Sequence, residues 1–339
     1  MRDSATQWIV RSRPNDQVSL ANFEQRTVPV DEPGDGEFGI ETLYLTVSPP
    51  ARMWLTSGGL TGVPVPVGGV MRGSGIGRVV GSRHPGFADG DIVSGALGWT
   101  DYTLSDGAAK MPVQKIAAPD GLPLTTAMHV LGGTGATAYF GLYEFGLPRV
   151  GDMVLVSAAA GSVGAIVCQL AKMAGCKVVG IAGSDAKCAW LTDTLGMDGA
   201  INYKREDVAI RIKDLCPNGI DIFFDNVGGE TLDAALDNIA HGARVVLCGG
   251  TSQYDQEAEW LGPKNYFNLV YKEATMRGFY IFSFAARFGE SRDRLGALLR
   301  AGSLTYNEDI LEGIDSAPEA LLRVLAGENF GTQLIKVAD

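Results

Sequence analysis

Residues 151–164 read GDMVLVSAAAGSVG. An apolar run, Met153–Val156, enters a turn of tiny residues: Ala158, Ala159, Ala160, Gly161 and Ser162, followed by Val163 and Gly164. A helix-like segment comes next, and then a second apolar run, Lys177–Ala182. Strand, small-residue turn, helix and strand form one right-handed crossover, and therefore a parallel sheet. Side chains this small let backbone N–H groups and a helix N-terminus approach a pyrophosphate. Ala160, Gly161, Val163 and Gly164 are thus candidate contacts for a dinucleotide.

The end of the second apolar run indicates which dinucleotide. Sites for an unmodified adenosine ribose carry Asp or Glu at this strand tip, where it accepts from the 2′-OH. Here the run ends Ile181-Ala182-Gly183-Ser184, with no carboxylate at the tip. Lys187 lies in the first turn of the next predicted helix, and Tyr203 and Lys204 end the strand predicted after it. Small residues beside a cation suit the 2′-phosphate of NADPH better than the free ribose of NADH. Lys187 is either that phosphate contact or a solvated helix lysine. Asp185 argues the other way, unless it turns to solvent near its helix start, where a carboxylate is favoured.

The chain has 339 residues, enough for about two domains. Its net charge of −11 speaks against nucleic acid or an anionic membrane as a partner. No apolar signal core opens the chain, and the longest apolar stretch is broken by Ser157, Gly161 and Ser162. Five scattered cysteines, Cys168, Cys176, Cys188, Cys216 and Cys248, include no C-x-x-C pair and fit a reducing, cytoplasmic setting. The three histidines have no neighbouring ligands at metal spacing, so no metal site is expected.

Up to about residue 120 the chain reads as β-rich. Short apolar segments at 38–47, 67–70, 77–80, 91–97 and 102–104 are separated by Gly, Pro and Asp turns, as in a barrel or sandwich. The run Gly73-Ser74-Gly75-Ile76-Gly77 looks like a phosphate loop, but no helix follows it. It reads as a bend in a barrel. From about residue 124, strands and helices alternate. Strands are predicted at 153–156, 177–182, 199–202, 219–224, 244–248 and 274–281, a six-strand doubly wound pattern. Helices are predicted between them, for example at 187–195 and 231–239, and a further one at 292–301. Ser316-Ala317-Pro318-Glu319 reads as a capping-box start, with Gly327 ending that helix. A last strand at 332–337 would return to the N-terminal barrel, making the dinucleotide domain an insertion. The domains expected are 1–123 with 302–339, and 124–301.

These motifs, together with LYLTVSP (43–49), VMRGSGIGRVVGS (70–82), TAYFGL (137–142), FDNVGGE (224–230), LCGGTSQY (247–254) and ENFG (328–331), cover most of the chain. The sequence resembles the zinc-free medium-chain dehydrogenase/reductases, in the branch of leukotriene/prostaglandin, curcumin and plant double-bond reductases. Zinc-dependent relatives carry an early cysteine and a Gly-His-Glu motif. This chain has no cysteine before Cys168 and no such motif. The resemblance implies an α/β protein: a GroES-like β-barrel catalytic domain with an inserted doubly wound Rossmann domain. It implies NADPH-dependent reduction of the carbon–carbon double bond of α,β-unsaturated ketones and aldehydes, and a homodimer joined along the sixth strand. It implies Tyr254 as donor to the carbonyl or enolate oxygen, where the alternative is a loop tyrosine packing on the cofactor. Asn226 and Val227 would meet the nicotinamide ribose or cofactor face, beside Cys248. Asn329, Phe279 and Thr137 would lie near the nicotinamide.

The chain departs from many relatives at Ser48-Pro49-Pro50-Ala51-Arg52, where an N-terminal tyrosine is missing, and at Gly132-Gly133-Thr134-Gly135, where a loop is shorter. Trp54, Trp99, Tyr266 and Tyr271 are either cleft-lining aromatics or core. A zinc-free quinone reductase and a non-catalytic NADPH-binding protein are the competing readings.

Overall fold

The computed structural model describes residues 2–59, 62–108, 113–254 and 261–339. Two compact units result. One joins the chain up to Met128 with Glu308–Asp339, and the other is His129–Asn307. The joins were expected at 123/124 and 301/302. They fall later because the buried turn Leu124–Met128 packs on the first unit and residue 308 opens a strand of that unit.

The first unit begins with β1 (Ser4–Val10) and β2 (Phe23–Pro29), an antiparallel pair. The spacing of apolar residues did not predict either strand. β2 reads FEQRTVP, a charged strand that buries mainly Phe23. The next strand, β3 (Phe38–Val47), is buried along almost its whole length. It is followed by β4 (Ser74–Val80), β5 (Ile92–Ala96), β6 (Tyr102–Ser105) and β7 (Gln114–Lys115). The glycine-rich run at 73–77 thus enters a strand and is not a bend. A Cβ on Gly77 would stand 2.4 Å from Ile40, so glycine lets β4 lie tightly on β3. The expected segment at 67–70 supplies only a single bridge, Val70 to Ile9.

The second unit starts with α1 (Gly133–Phe140), which runs on as a π-helical turn, Gly141–Gly146. Then β8 (Met153–Val156), α2 (Ser162–Met173), β9 (Lys177–Ala182), α3 (Asp185–Ala189), β10 (Gly199–Asn202), α4 (Val208–Leu215), β11 (Ile220–Asp225), α5 (Gly229–Leu236) and β12 (Ile239–Leu247) alternate. After α6 (Asn268–Tyr271) comes β13 (Thr275–Gly278), and α7 (Phe288–Arg300) follows. The six strands are parallel, in the order β10-β9-β8-β11-β12-β13. Val154, Leu155, Val156, Val178, Val179, Phe223 and Phe224 are fully buried, because helices cover both faces of a doubly wound sheet. β13 is shorter than the predicted 274–281; after Gly278 the chain leaves the sheet and coils into a 3₁₀ turn, Ile281–Arg287.

The chain then returns to the first unit through β14 (Glu308–Glu312), α8 (Ala317–Leu325) and β15 (Thr332–Lys336). β15 lies between β14 and β3, in the order β14-β15-β3-β4-β5-β7, with β6 on β3. The expected capping box at Ser316 does not form. Its hydroxyl donates backward to the Gly313 carbonyl at 2.7 Å, because a 3₁₀ turn, Ile314–Ser316, precedes α8. Gly327 does end the helix, with φ +65° and its N–H on the Val324 carbonyl. The core gathers Phe38, Ile40, Leu45, Trp99, Leu321 and Ile335. Trp99 is therefore a core residue stacked near Phe23, and Trp54 packs on the same core.

Candidate active site

The carboxyl ends of the second unit's strands carry the predicted site residues. After β8, Ala158 adopts a left-handed φ of +48°, and the Gly161 N–H closes the turn on its carbonyl at 2.9 Å. The Ala159 N–H donates to the Ile181 carbonyl at 2.9 Å, tying the turn to β9. A Cβ on Gly164 would stand 2.3 Å from the Ala158 oxygen and 2.8 Å from the Ala159 Cα. Only glycine lets α2 start this close to the strand. Ala160 is buried, whereas Gly161 and Val163 are half-buried at the mouth of the turn. This cradle, opening on the first turn of a twelve-residue helix, fits a pyrophosphate.

The loops after β9 and β10 meet. The Ser184 hydroxyl caps α3 by accepting from the Lys187 N–H at 3.3 Å. The Tyr203 ring lies over Gly183, where a Cβ would come within 2.9 Å of it. Asp185 turns neither to solvent alone nor back across the strand tip. Its carboxylate accepts from the Asn202 amide at 2.6 Å and pairs with Arg205. The sequence signalled neither partner.

After β11, a buried carboxylate organises the turn. Asp225 accepts from the Ser157 hydroxyl at 2.9 Å, the Val227 N–H at 2.9 Å and the Gly228 N–H at 3.0 Å. Burial raises its pKa, and these three donors oppose the rise. Asn226 donates its side-chain amide to the Ser157 carbonyl at 2.7 Å. Its amide group therefore pins this turn to β8. Ser157 and Asp225 were not among the predicted residues, although a lone carboxylate closing an apolar strand was a readable signal.

Past β12, the Cys248 N–H donates to the Asp225 carbonyl at 2.8 Å, and the Ser252 hydroxyl donates to the Val227 carbonyl at 2.7 Å. The loop thereby folds over the Asp225 turn and carries Tyr254, which is buried. The Tyr254 hydroxyl accepts from the Gly250 N–H at 3.4 Å. Burial raises its pKa, so the phenol keeps its proton. Burial also pushes the Cys248 thiol up to about 12, with the Asp225 charge adding to the rise. The remaining predicted residues lie apart from this loop. Phe279 stacks on Phe145 with ring centres 5.2 Å apart. The Thr137 hydroxyl donates to the Gly133 carbonyl within α1. Asn329, in the first unit, donates to the Gly331 carbonyl at 2.9 Å. Tyr266 and Tyr271 are exposed on and beside α6. Among the described residues no group of three His, Cys, Asp or Glu side chains could hold a metal ion.

Two family models match, one described as N-terminal domain of oxidoreductase, over residues 6–113, and one as zinc-binding dehydrogenase, over residues 162–296. The chain is 35% identical to the NADPH-dependent curcumin reductase of Escherichia coli (strain K12), over 98% of this chain and 96% of that protein. The chain belongs to the medium-chain dehydrogenase/reductase family. Its branch is that of the curcumin, prostaglandin and plant double-bond reductases. The 2-alkenal reductase (NADP(+)-dependent) of Nicotiana tabacum is 38% identical, over 90% of this chain and 88% of that protein. The crystal structure of CurA in complex with NADPH from Vibrio vulnificus matches with a TM-score of 0.91 and 35% identity, covering 98% of this chain and 99% of that one. In medium-chain dehydrogenase/reductase terms, the barrel-like first unit and the parallel-sheet second unit are the family's two halves.

Proposed function

We propose that this chain is an NADPH-dependent reductase of carbon–carbon double bonds conjugated to a ketone or aldehyde. The full-length likeness to reductases named for curcumin and 2-alkenals carries this reading. Both substrate names denote a C=C conjugated to a carbonyl. The cradle geometry supports the cofactor: Ala160, Gly161, Val163 and Gly164 would hold the pyrophosphate, and Gly183, Ser184, Lys187 and Tyr203 the 2′-phosphate. Asn226, Val227 and Cys248 would border the nicotinamide ribose. Bound NADPH supplies the two-electron reducing equivalent to the β-carbon.

The chain's part is to manage the charge that moves to the carbonyl oxygen. Tyr254, kept protonated by burial, donates its O–H to that oxygen and stabilises the enolate. Asp225 acts at one remove, fixing the Asn226–Gly228 turn and, through the Cys248 N–H, the loop that carries Tyr254. A homodimer is part of the same reading. β13 pairs with β12 alone, and exposed Tyr266, Phe267, Val270, Tyr271, Tyr280 and Phe282 precede or follow it.

The test follows NADPH oxidation by absorbance with 2-alkenals, cyclic and linear enones, curcumin and quinones. Turnover of enals or enones to the saturated carbonyl is expected. Turnover of quinones alone would favour the quinone reductase reading, and tight NADPH binding without turnover would favour a non-catalytic protein.

A further inference from the structure

Asp185 stands in sequence between two residues of the proposed 2′-phosphate site, Ser184 and Lys187. An uncompensated carboxylate there would repel a phosphate. The structure shows two devices that hold it aside, both from the end of β10. Asn202 is buried and works in two directions. Its side-chain oxygen accepts the Lys204 N–H at 3.2 Å, fixing the turn that presents Tyr203, and its amide donates to Asp185 at 2.6 Å. Arg205 pairs with the other carboxylate oxygen. Both members of that ion pair are largely exposed, and such pairs contribute little to folding. The pair alters the local charge without being needed to hold the fold.

We propose that Asn202 and Arg205 are specificity-determining positioning residues. They hold the Asp185 carboxylate against the end of β10 and neutralise it, so that this loop accepts a 2′-phosphorylated dinucleotide. The proposal rests on the NADPH reading above. It makes Asp185 a suppressed discriminator: released from its partners, the same residue would disfavour the 2′-phosphate.

Calorimetric titration with 2′,5′-ADP and 5′-AMP, two fragments differing only in the 2′-phosphate, tests it without turnover. The unmodified protein is expected to bind 2′,5′-ADP more tightly. Arg205→Met should cut that preference about tenfold at low salt, and less at high salt, with the 5′-AMP affinity unchanged. Asn202→Ala should act in the same direction. Asp185→Asn placed on Arg205→Met should restore the preference. An unchanged ratio in Arg205→Met overturns the proposal. Failure of Asp185→Asn to restore it overturns it too, since Arg205 would then act on the phosphate directly. Equal affinity of the unmodified protein for both fragments would overturn the NADPH reading, and the proposal with it.

Discussion

Tyr254 and Asp225 divide one task. The phenol donates to the oxygen on which charge develops, and the carboxylate holds the turn against which that loop folds. An interaction made mainly in the transition state shows in turnover more than in binding. Tyr254→Phe is therefore expected to slow single-turnover enone reduction about 10²–10³-fold, with little change in the NADPH dissociation constant. A wild-type rate would make the tyrosine a packing residue. The buried thiols lead to a second expectation. Cys168 is fully buried, and burial raises its pKa from 9.0 to about 12. The fold therefore retains a proton that the unfolded chain loses. That stability is complete below about pH 9 and drains away as pH rises toward 12, at ~1.4 kcal/mol per pH unit. Urea unfolding at pH 8 and pH 10 should show Cys168→Ala losing about 1 kcal/mol less than the parent across that interval. Equal losses would mean that the thiol does not titrate differently in the fold. At this scale the small residues were legible in the sequence, because a turn of Ala and Gly carries its own reason. The Ser157–Asp225 bond was not. Its partners are 68 residues apart and meet only because β8 and β11 are neighbours in the sheet.

Among the elements, the turn from β8 into α2 carries the sharpest steric demand. A methyl group on Gly164 would collide with backbone at two points, whereas one on Gly161 would approach only the Ala158 oxygen, at 3.1 Å. Gly164→Ala should cost about 1–3 kcal/mol of stability and weaken NADPH binding, with Gly161→Ala milder in both. Chemical denaturation and fluorescence titration of NADPH would read the two effects, and equal behaviour of the two variants would refute the close-approach argument. The interior strands β8, β9 and β10 matched the sequence reading residue for residue, because a strand buried on both faces is a plain apolar run. β2 and β14, FEQRTVP and EDILE, hid behind their charges. β13 was predicted too long because Phe279 and its neighbours continue the apolar pattern after the backbone has left the sheet.

For the whole molecule, the outer edge of β13 and the exposed aromatics around it lead to an expected assembly. Light scattering should give about 72 kDa, twice the 35.8 kDa chain, and Val270→Asp should lower it toward one chain. A single-chain mass for the parent would count against the dimer. The order of the two units along the chain has a separate consequence, for synthesis on the ribosome. The first unit's sheet places β15 directly beside its long central strand β3, and β15 is among the last residues made. The unit that opens the chain must therefore wait, with β3 unpaired on one side, while the whole of His129–Asn307 emerges. Vectorial folding here runs from the middle outward: the inserted unit can close first, and the N-terminal sheet is sealed only at release. Nascent chains arrested before β15 should accordingly yield a protease-resistant core that maps to the insertion, with the N-terminal strands still open to cleavage and to chaperones.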